Sequence, residues 1–487
     1  MNHQKAGCCG RVVAIAAAGL LVVVPPAVAG DIGGAADVEV AQANEASAET
    51  PQDTDGAANA STPLRGFGGK AATGRIVRQI RKQHLDAQKK KPKSGDALQD
   101  WLEGPSVLGD WGGYRGELED RGITFGGFSA NVFLTNATGG NRRSWAYTHL
   151  TMAETNLDFE RLAGLSGFLI RAQMAFAAGN NLSSSNRIGN LFNVATAYTP
   201  NGLYLSQLYA QQALLDDALT LQAGRMTTAN NFATLPVFTD YVSVAGNGIP
   251  TALPVGSTYF TFPPGVQWGA VATVRATDTV TAAAGVYNTN NSSAQPQASA
   301  NGTDFGLRFD NGAITVGQVT YSLNRGPGDT GLPGIYELGG FYSSADYPRL
   351  RDGSEKHGNY GFYGMFQQMV FEEFGTSGSQ GLTPWAAVAW NPEESADLLP
   401  FFFSAGAVYR GLVPQRDTDT TAVAVYTGKF SDSQPDTSNE TVLELNYTVW
   451  ATPWLAVTPD FQYIFRPFGG SSSNDAAVFG GQIMLIF

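Results

Sequence analysis

The last fourteen residues of the chain, 474–487 (NDAAVFGGQIMLIF), alternate between two kinds of position. Every second residue from 477 onward is apolar or glycine. These positions are Ala477, Phe479, Gly481, Ile483, Leu485 and Phe487. Because successive side chains of a strand point to opposite faces, the stretch predicts a β-strand with one continuous apolar face. Since the terminal carboxylate is polar, ending that face on a large apolar residue favours a strand against lipid over the last strand of a soluble sandwich.

The same two-residue period occurs in earlier parts of the chain. Residues 153–160, 168–176, 441–449 and 455–466 each pair an apolar face with a polar one. The polar faces carry carboxylates, amides and arginines. Repeated two-faced segments of this kind indicate an all-β fold.

Composition narrows the class of protein further. Charged residues are 15 % of the 487 residues, and 58 residues are glycine, whereas charged residues average about 25 % in soluble domains. This excludes a coiled coil, and a helical membrane protein would need several apolar runs of about 20 residues. After residue 93 the only lysines are Lys356 and Lys429, although water-facing strands of soluble sandwiches are normally rich in lysine. The composition therefore favours an antiparallel transmembrane β-barrel.

The N-terminal residues have the features of an export signal. Lys5 and Arg11 precede an apolar run that ends in Ala-Val-Ala at position 29, which is the pattern of a cleaved signal peptide. The chain's two cysteines, Cys8 and Cys9, lie inside this segment. We therefore predict an exported mature chain that forms no disulfide, which is consistent with a bacterial envelope protein.

Charge divides the rest of the chain into two regions. Residues 30–64 hold seven acids and no base, whereas residues 65–93 hold ten bases and one acid. We predict a signal peptide at 1–29, a disordered or partly helical periplasmic extension at 30–100 and a barrel at 101–487. The basic segment 65–93 is interpreted either as a solvated tether or as an arm that touches an anionic polymer or membrane.

The length of the barrel region predicts its size. About 390 residues at roughly 24 per strand and connection give about 16 strands, enough to enclose water. Short connections are predicted at 310–312 and 451–453. Long polar loops are predicted at 288–303, 324–333, 343–359 and 416–421, as expected of a barrel with long loops at one end.

Three ordered stretches resemble the carbohydrate-selective porin family (OprB-type). They are residues 108–115 (LGDWGGYR), 208–225 (LYAQQALLDDALTLQAGR) and 444–474, which includes TPWL and PDFQYI. The resemblance covers about residues 101–487 and implies a 16-stranded outer-membrane porin that passes sugars. The final strand also resembles the signal by which the barrel-assembly machinery recognises such chains. Its residues are Phe479, Ile483, Leu485 and Phe487.

A sugar pore needs hydrogen-bonding groups on its inner faces, since sugars are neutral and rich in hydroxyl groups. Candidate channel-lining residues are Glu154, Asp158, Arg171, Gln173, Arg225, Arg308, Glu444, Asp460, Gln462 and Arg466. Arg225 is the least certain, because its alternation with Leu221 and Ala223 sends it outward. A guanidinium in lipid costs roughly 2–4 kcal/mol, so we expect Arg225 to face inward or a loop.

The expected function is passive, selective diffusion of carbohydrates such as glucose and similar small neutral solutes. A general diffusion pore and a secreted soluble sugar-binding protein are the alternatives. Catalysis is not expected, because Glu154 and Asp158 are about 13 Å apart on one strand, farther than glycoside hydrolysis allows. The four histidines form no spaced cluster, so we expect no metal and no cofactor, and nothing indicates nucleic acid. The expected partners are membrane lipid, carbohydrate and the assembly machinery; the sequence leaves monomer and homotrimer open.

Overall fold

The computed structural model describes residues 96–487 except 198–199, 291–299, 326–328, 330, 375–379 and 471–472. The predicted signal peptide and nearly all of the predicted N-terminal extension, including the basic segment 65–93, lie outside the described residues. A short α-helix, α1, follows at Ala97–Leu102. It is capped by Asp96, whose side chain accepts from the Leu98 amide at 2.9 Å.

Sixteen strands make up the barrel, with Phe371–Glu372 continuing β10 after a short interruption. Their bounds are β1 Ile123–Gly140, β2 Trp145–Asp158, β3 Phe168–Gly179, β4 Gly202–Leu214, β5 Leu219–Met226, β6 Gln267–Arg275, β7 Val280–Asn288, β8 Ala313–Leu323, β9 Gly334–Pro348, β10 Glu355–Gln368, β11 Gly381–Trp390, β12 Phe401–Arg410, β13 Thr420–Lys429, β14 Asn439–Thr452, β15 Leu455–Phe465 and β16 Asn474–Ile486.

The remaining helices are short and lie in the connections. They are α2 Tyr114–Asp120, α3 Phe159–Ala163 and α4 Ala252–Gly256, with 3₁₀ turns at Trp111–Gly113, Pro236–Asp240, Ala300–Gly302 and Pro467–Gly469. Within the described residues, none of these helices has the length and apolar character needed to cross a bilayer.

The sheet closes on itself. Each strand pairs antiparallel with its neighbours in the chain, and β1 pairs with both β2 and β16. Ser129 of β1, for example, lies opposite Thr151 of β2 on one side and Leu485 of β16 on the other. Closure leaves the barrel without open edges. The predicted all-β barrel of about 16 strands is therefore confirmed.

The two faces of the strands differ in burial as their alternation predicts. In β14, Glu444 and Asn446 are buried toward the lumen, whereas Leu443 and Leu445 are exposed on the outer wall. β15 and β16 follow the same rule, with Phe461 and Phe479 paired on the outer wall at 4.8 Å between ring centroids. The outer wall is thus apolar along these strands.

The connections differ from the prediction in several places. β9 and β10 extend through most of the predicted loop 343–359 and leave only residues 349–354 as a loop. Residues 310–312 end a longer connection and do not form a hairpin turn. The longest connection, residues 227–266, was not predicted, because the small and apolar residues of this segment lack the polarity of a typical loop.

Candidate channel-lining site

The connection between β5 and β6, residues 227–266, folds into the barrel, and we call it the lumen loop. Almost all of it is buried. Its backbone is held by inward-facing side chains of the wall: the Ala233 amide donates to Gln318 Oε1 at 2.8 Å and the Val237 amide to Gln367 Oε1 at 3.1 Å. Asn359 Nδ2 donates to the Gly256 carbonyl at 2.9 Å. The lumen loop therefore lies against the inside of β8 and β10.

Glu444 of β14 binds the middle of the lumen loop. Its carboxylate accepts from the Val242 amide at 2.6 Å, the Ser243 amide at 3.3 Å and the Tyr426 hydroxyl at 2.8 Å. Asn446 Nδ2 adds a bond to the Asp240 carbonyl at 3.0 Å. Glu444 is only 1 % exposed, so its oxygens are occupied by protein donors. A carboxylate that accepts several hydrogen bonds from backbone amides holds that backbone in place.

A second inward segment, residues 180–197, is held in the same way by β14 and β15. Glu440 accepts from the Leu191 amide at 2.8 Å and the Phe192 amide at 2.7 Å. Gln462 Nε2 donates to the Val194 carbonyl at 2.9 Å. This segment contacts the lumen loop directly, since the Thr196 amide donates to the Val242 carbonyl at 2.9 Å. Together the two segments narrow the lumen.

The inner wall of β2, β3 and β4 carries a hydrogen-bonded row of polar side chains, which we call the polar strip. At its centre Arg171 Nη2 lies 3.0 Å from Glu154 Oε1, while Arg171 Nε donates to Asn156 Oδ1 at 2.9 Å. Arg171 Nη1 donates to the Tyr209 hydroxyl at 3.3 Å. The register explains the cluster, because Asn156 lies opposite Arg171, and Arg171 opposite Tyr209.

The polar strip continues on both sides of the ion pair. Gln207 Nε2 donates to Gln173 Oε1 at 2.8 Å, and Gln222 Nε2 of β5 donates to Gln211 Oε1 at 2.9 Å. The Arg171 side chain keeps 13 % of its surface exposed, so the strip is accessible at its centre. This arrangement can offer hydrogen-bond donors and acceptors to a solute.

The structure brings the predicted residues together in two groups. Glu154, Arg171 and Gln173 belong to the polar strip. Glu444, Asp460 and Gln462 lie on neighbouring strands, where Gln462 Nε2 donates to Asp460 Oδ2 at 2.8 Å. Because Glu444 and Gln462 bind the inward segments, this second group positions loops.

Two predicted lining residues lie at the ends of their strands. Asp158 caps α3, accepting from the Glu160 amide at 3.0 Å. Arg466 follows β15, and its Nη1 donates to Ser438 Oγ at 3.1 Å. Both side chains are exposed at a rim of the barrel. β2 ends at Asp158 and β15 ends one residue before Arg466, so neither side chain lies in the middle of the inner wall.

Arg225 and Arg308 both lie on the outer side of the barrel wall, where each contacts Asp304. Arg225 lies opposite Trp268 on the outer side of β5 and β6, so it does not line the lumen. Residues 304–309 cover it, and it therefore faces a connection, which is the second of the two positions expected for it. Arg308 belongs to that covering segment, so the prediction that it faces the lumen is corrected. The cause is that residues 300–309 are an irregular connection, in which alternation does not report on the barrel's faces.

Sequence reasoning did not select Asn156, Gln207, Tyr209, Gln211 or Gln222. Tyr209 and Gln211 alternate within the stretch 208–225, which was a usable signal. A bulge where β3 and β4 pair, between Gln173 and Met174, shifts the alternation and hides Gln207. In the part of the chain that the structure describes, no group of three metal-ligating side chains could hold an ion.

Comparison with known proteins identifies a family and two relatives that this chain resembles. The sequence profile described as "Carbohydrate-selective porin, OprB family" matches residues 142–487. Porin B of Pseudomonas aeruginosa is 24 % identical over 423 residues, covering 78 % of this chain and 91 % of that protein. The putative porin QuiX of Acinetobacter baylyi is 23 % identical over 416 residues, covering 78 % and 93 %.

A solved structure shows the same fold. OprB of Pseudomonas putida in its high-pH structure superposes with a TM-score of 0.73 at 24 % identity, covering 79 % of this chain and 99 % of that one. The family match over residues 142–487 contains the polar strip, both inward segments and the strands that hold them. The chain therefore belongs to the carbohydrate-selective porin family.

Proposed function

We propose that this protein lets small carbohydrates, of the size of monosaccharides such as glucose, diffuse passively across the bacterial outer membrane. The observation that carries the proposal is the polar strip on one side of a lumen that the lumen loop narrows from the other. Family membership and two relatives named as porins support it.

The polar strip suits the chemistry of a sugar. The Arg171 guanidinium offers fixed donors, Glu154 offers acceptors, and the amides of Gln207 and Gln211 offer both. Tyr209 is only 5 % exposed, so it contributes through its hydroxyl, which helps to hold the Arg171 guanidinium in place. The Arg171 guanidinium and the Gln211 amide already have protein partners, whereas Glu154 Oε2 and Gln207 Oε1 have none among the described residues. A passing hydroxyl therefore exchanges most bonds and gains few. Binding is therefore weak, as transport through a channel requires.

The ends of the first and last strands indicate how the barrel is oriented in the membrane. The N-terminal end of β1 and the C-terminal end of β16 lie at the same rim, where the Phe487 amide donates to the Gly127 carbonyl at 3.0 Å. In outer-membrane barrels that rim faces the periplasm. The lumen loop and residues 180–197 then enter from the external rim, so solutes meet them before the lower part of the polar strip.

Single-channel recording with sugar block tests the proposal. Glucose at rising concentration should reduce the current of the purified full chain in steps, and Arg171→Ala should weaken the block by about tenfold if it removes roughly 1.4 kcal/mol of binding. The matched control is Arg466→Ala, an arginine exposed at the rim. Equal block in all three proteins would contradict the proposal.

A general diffusion pore is the competing function, and liposome swelling separates the two. A selective pore passes glucose faster than an amino acid of equal size. Equal swelling rates at equal size would leave a pore that sorts by size alone.

A further inference from the structure

Residues 304–309 lie as an irregular segment on the outside of the barrel, and we call this segment the outer strip. The Phe305 ring packs over Trp268, with centroids 6.5 Å apart, and over Arg225, whose Cζ is 5.6 Å from the ring centre. Arg225 Nη1 also donates to the Asp304 carbonyl. At the other end Asn288 Nδ2 donates to the Arg308 carbonyl at 2.7 Å. The outer strip is thus fixed to the wall at both ends.

Next to the outer strip the outer wall is hollow, and we call this depression the wall groove. It crosses β4 to β9 with a volume of about 1210 Å³. Its floor is made of small residues such as Ala223, Ala270 and Gly317, and large ones such as Leu338 and Phe362 form its rim. Ala223 pairs with Ala270 two residues along from the Arg225–Trp268 pair. The wall groove therefore begins where the outer strip ends.

The junction between the wall groove and the outer strip is positively charged. Arg225 is 2 % exposed, and its Nε and Nη2 have no hydrogen-bond partner among the described residues. Arg308 is exposed on the outer strip, with Asp304 Oδ2 at 3.8 Å. Two guanidinium groups face one carboxylate, and a buried guanidinium with unpaired donors is costly unless an anion or water satisfies it.

The exposed side of the outer strip is amphipathic. Phe305, Leu307 and Phe309 are 48 %, 63 % and 52 % exposed, and Arg308 lies between the last two. Large apolar side chains beside a basic one are typical of the layer where lipid head groups meet acyl chains. The outer strip lies beside the ends of β5 and β7 at the external rim. It therefore lies at the depth of this head-group layer.

We propose that the wall groove and the outer strip together bind one anionic, acylated membrane lipid. An acyl chain fills the wall groove, where small side chains allow close contact, and the phosphate accepts hydrogen bonds from the exposed Arg308 next to the buried positive charge of Arg225. The positive charge at the junction favours a lipid over the competing occupant, a second copy of this chain. A lipid brings its own phosphate, whereas a second copy would have to present an exposed anionic segment to the junction. The inference rests on the membrane location of the family and not on which solute passes.

Native mass spectrometry of the full-length protein in detergent, with added phosphatidylglycerol or phosphatidylcholine of identical acyl chains, tests this binding. We expect phosphatidylglycerol to occupy one site in preference to phosphatidylcholine. Arg308→Gln should lower its occupancy about fivefold, the effect of one basic side chain near an anionic surface. Gly317→Phe should exclude both lipids, because a side chain at Gly317 enters open space in the wall groove.

Two variants control for charge and for bulk elsewhere. Arg143→Gln removes an exposed arginine from a different loop, and Ala153→Phe adds a ring to the outer face of β2. Both should bind phosphatidylglycerol as the unaltered protein does, and a heat-dependent shift in gel mobility should show that every variant forms the barrel. Equal occupancy of the two lipids, or unchanged binding in Arg308→Gln and Gly317→Phe, would overturn the proposal. So would a dimer whose dissociation depends on the same two residues.

Discussion

At the scale of single residues, Glu444 shows how an inward carboxylate can serve the channel without touching a solute. Its oxygens hold the lumen loop through the Val242 and Ser243 amides. Glu444→Gln removes the charge and one acceptor, and hydrogen bonds to a charged group contribute about 1.5–3 kcal/mol. We expect the lumen loop to become mobile, so that single-channel current is noisier while the strength of sugar block stays the same.

The control for this variant is Glu355→Gln, which changes an exposed carboxylate at the rim and should leave the noise unaltered. Quiet currents together with weaker sugar block in Glu444→Gln would instead identify Glu444 as a sugar contact.

A second prediction concerns pH and Asp397, which is fully buried in the loop between β11 and β12. Asn359 Nδ2 donates to its Oδ1 at 2.6 Å and also to the Gly256 carbonyl of the lumen loop. Burial raises the pKa of Asp397 to about 8, which outweighs the opposing effect of the Asn359 hydrogen bond; nearby Glu393 also raises this pKa, and Lys356 lowers it.

The sign of the pH effect follows from this raised pKa. The folded protein favours the protonated carboxyl, whereas the unfolded chain ionises near pH 3.9. The contribution to stability is therefore complete below about pH 4 and is lost as the pH rises toward 8. Melting followed by gel mobility should show a lower transition temperature at pH 9 than at pH 5. Asp397→Asn should reduce that difference by a few degrees, and the exposed control Asp436→Asn should not.

Alternation in the sequence carries information about single residues only where the strands are regular. Alternation alone placed Glu154 and Arg171 on inner faces, yet their contact depends on the register of β2 against β3, which no local pattern contains. Arg308 was misplaced because alternation in an irregular segment carries no information about the wall. The anchoring role of Glu444 depends on residues 242–243, about two hundred positions away in the chain.

At the scale of elements, the final strand makes two separate contributions. Its backbone closes the barrel against β1, with Leu485 opposite Ser129. Its last residue, Phe487, adds one hydrogen bond to Gly127 and carries the proposed recognition signal for the assembly machinery. If that signal acts, deleting Phe487 lowers the amount of folded barrel in cells much more than it lowers refolding of the purified chain in detergent.

Heat-dependent gel mobility of outer-membrane fractions and of refolded protein provides both measurements. Phe461→Leu in β15 is a suitable control, because it removes one aromatic ring from the outer wall outside the final strand and leaves the terminal aromatic residue in place. An equal loss of folded barrel in cells and in detergent after deletion of Phe487 would assign that residue a purely structural role.

The element that sequence reading missed is the lumen loop. Its residues are small or apolar, so they lack the polarity by which loops were selected, and they lack the two-residue period by which strands were selected. Such a composition is required of a segment buried inside a barrel, since its surroundings are protein on nearly every side. Side chains of the wall satisfy its backbone groups, and those partners are visible only in three dimensions.

At the scale of the whole molecule, chain length and alternation predicted the number of strands, because a strand that crosses a bilayer has a nearly fixed length. The degree to which the lumen is filled could not be predicted in this way. It depends on two inward segments that meet each other and the wall through contacts between distant parts of the chain, such as the Val244 amide with the Asn193 carbonyl at 2.9 Å.

The last prediction tests whether the barrel folds without most of the lumen loop. The lumen loop begins and ends at neighbouring points, since the Ala229 amide donates to the Thr261 carbonyl at 2.9 Å. Replacing residues 231–259 by two glycines should therefore leave the strands paired. The variant loses buried Phe232 and Tyr241 from the interior, so it should melt earlier while its gel mobility still shifts on heating.

The functional consequence of this deletion follows from where the lumen loop lies. With the polar strip intact and only residues 180–197 left to narrow the lumen, a sugar can pass with fewer contacts to the wall. Conductance should rise, and swelling rates for glucose and for a trisaccharide should converge. The matched control, Ala233→Ser, keeps the lumen loop and changes one side chain within it. A deletion variant that folds, conducts more and still discriminates between sugars would show that the polar strip alone selects the solute.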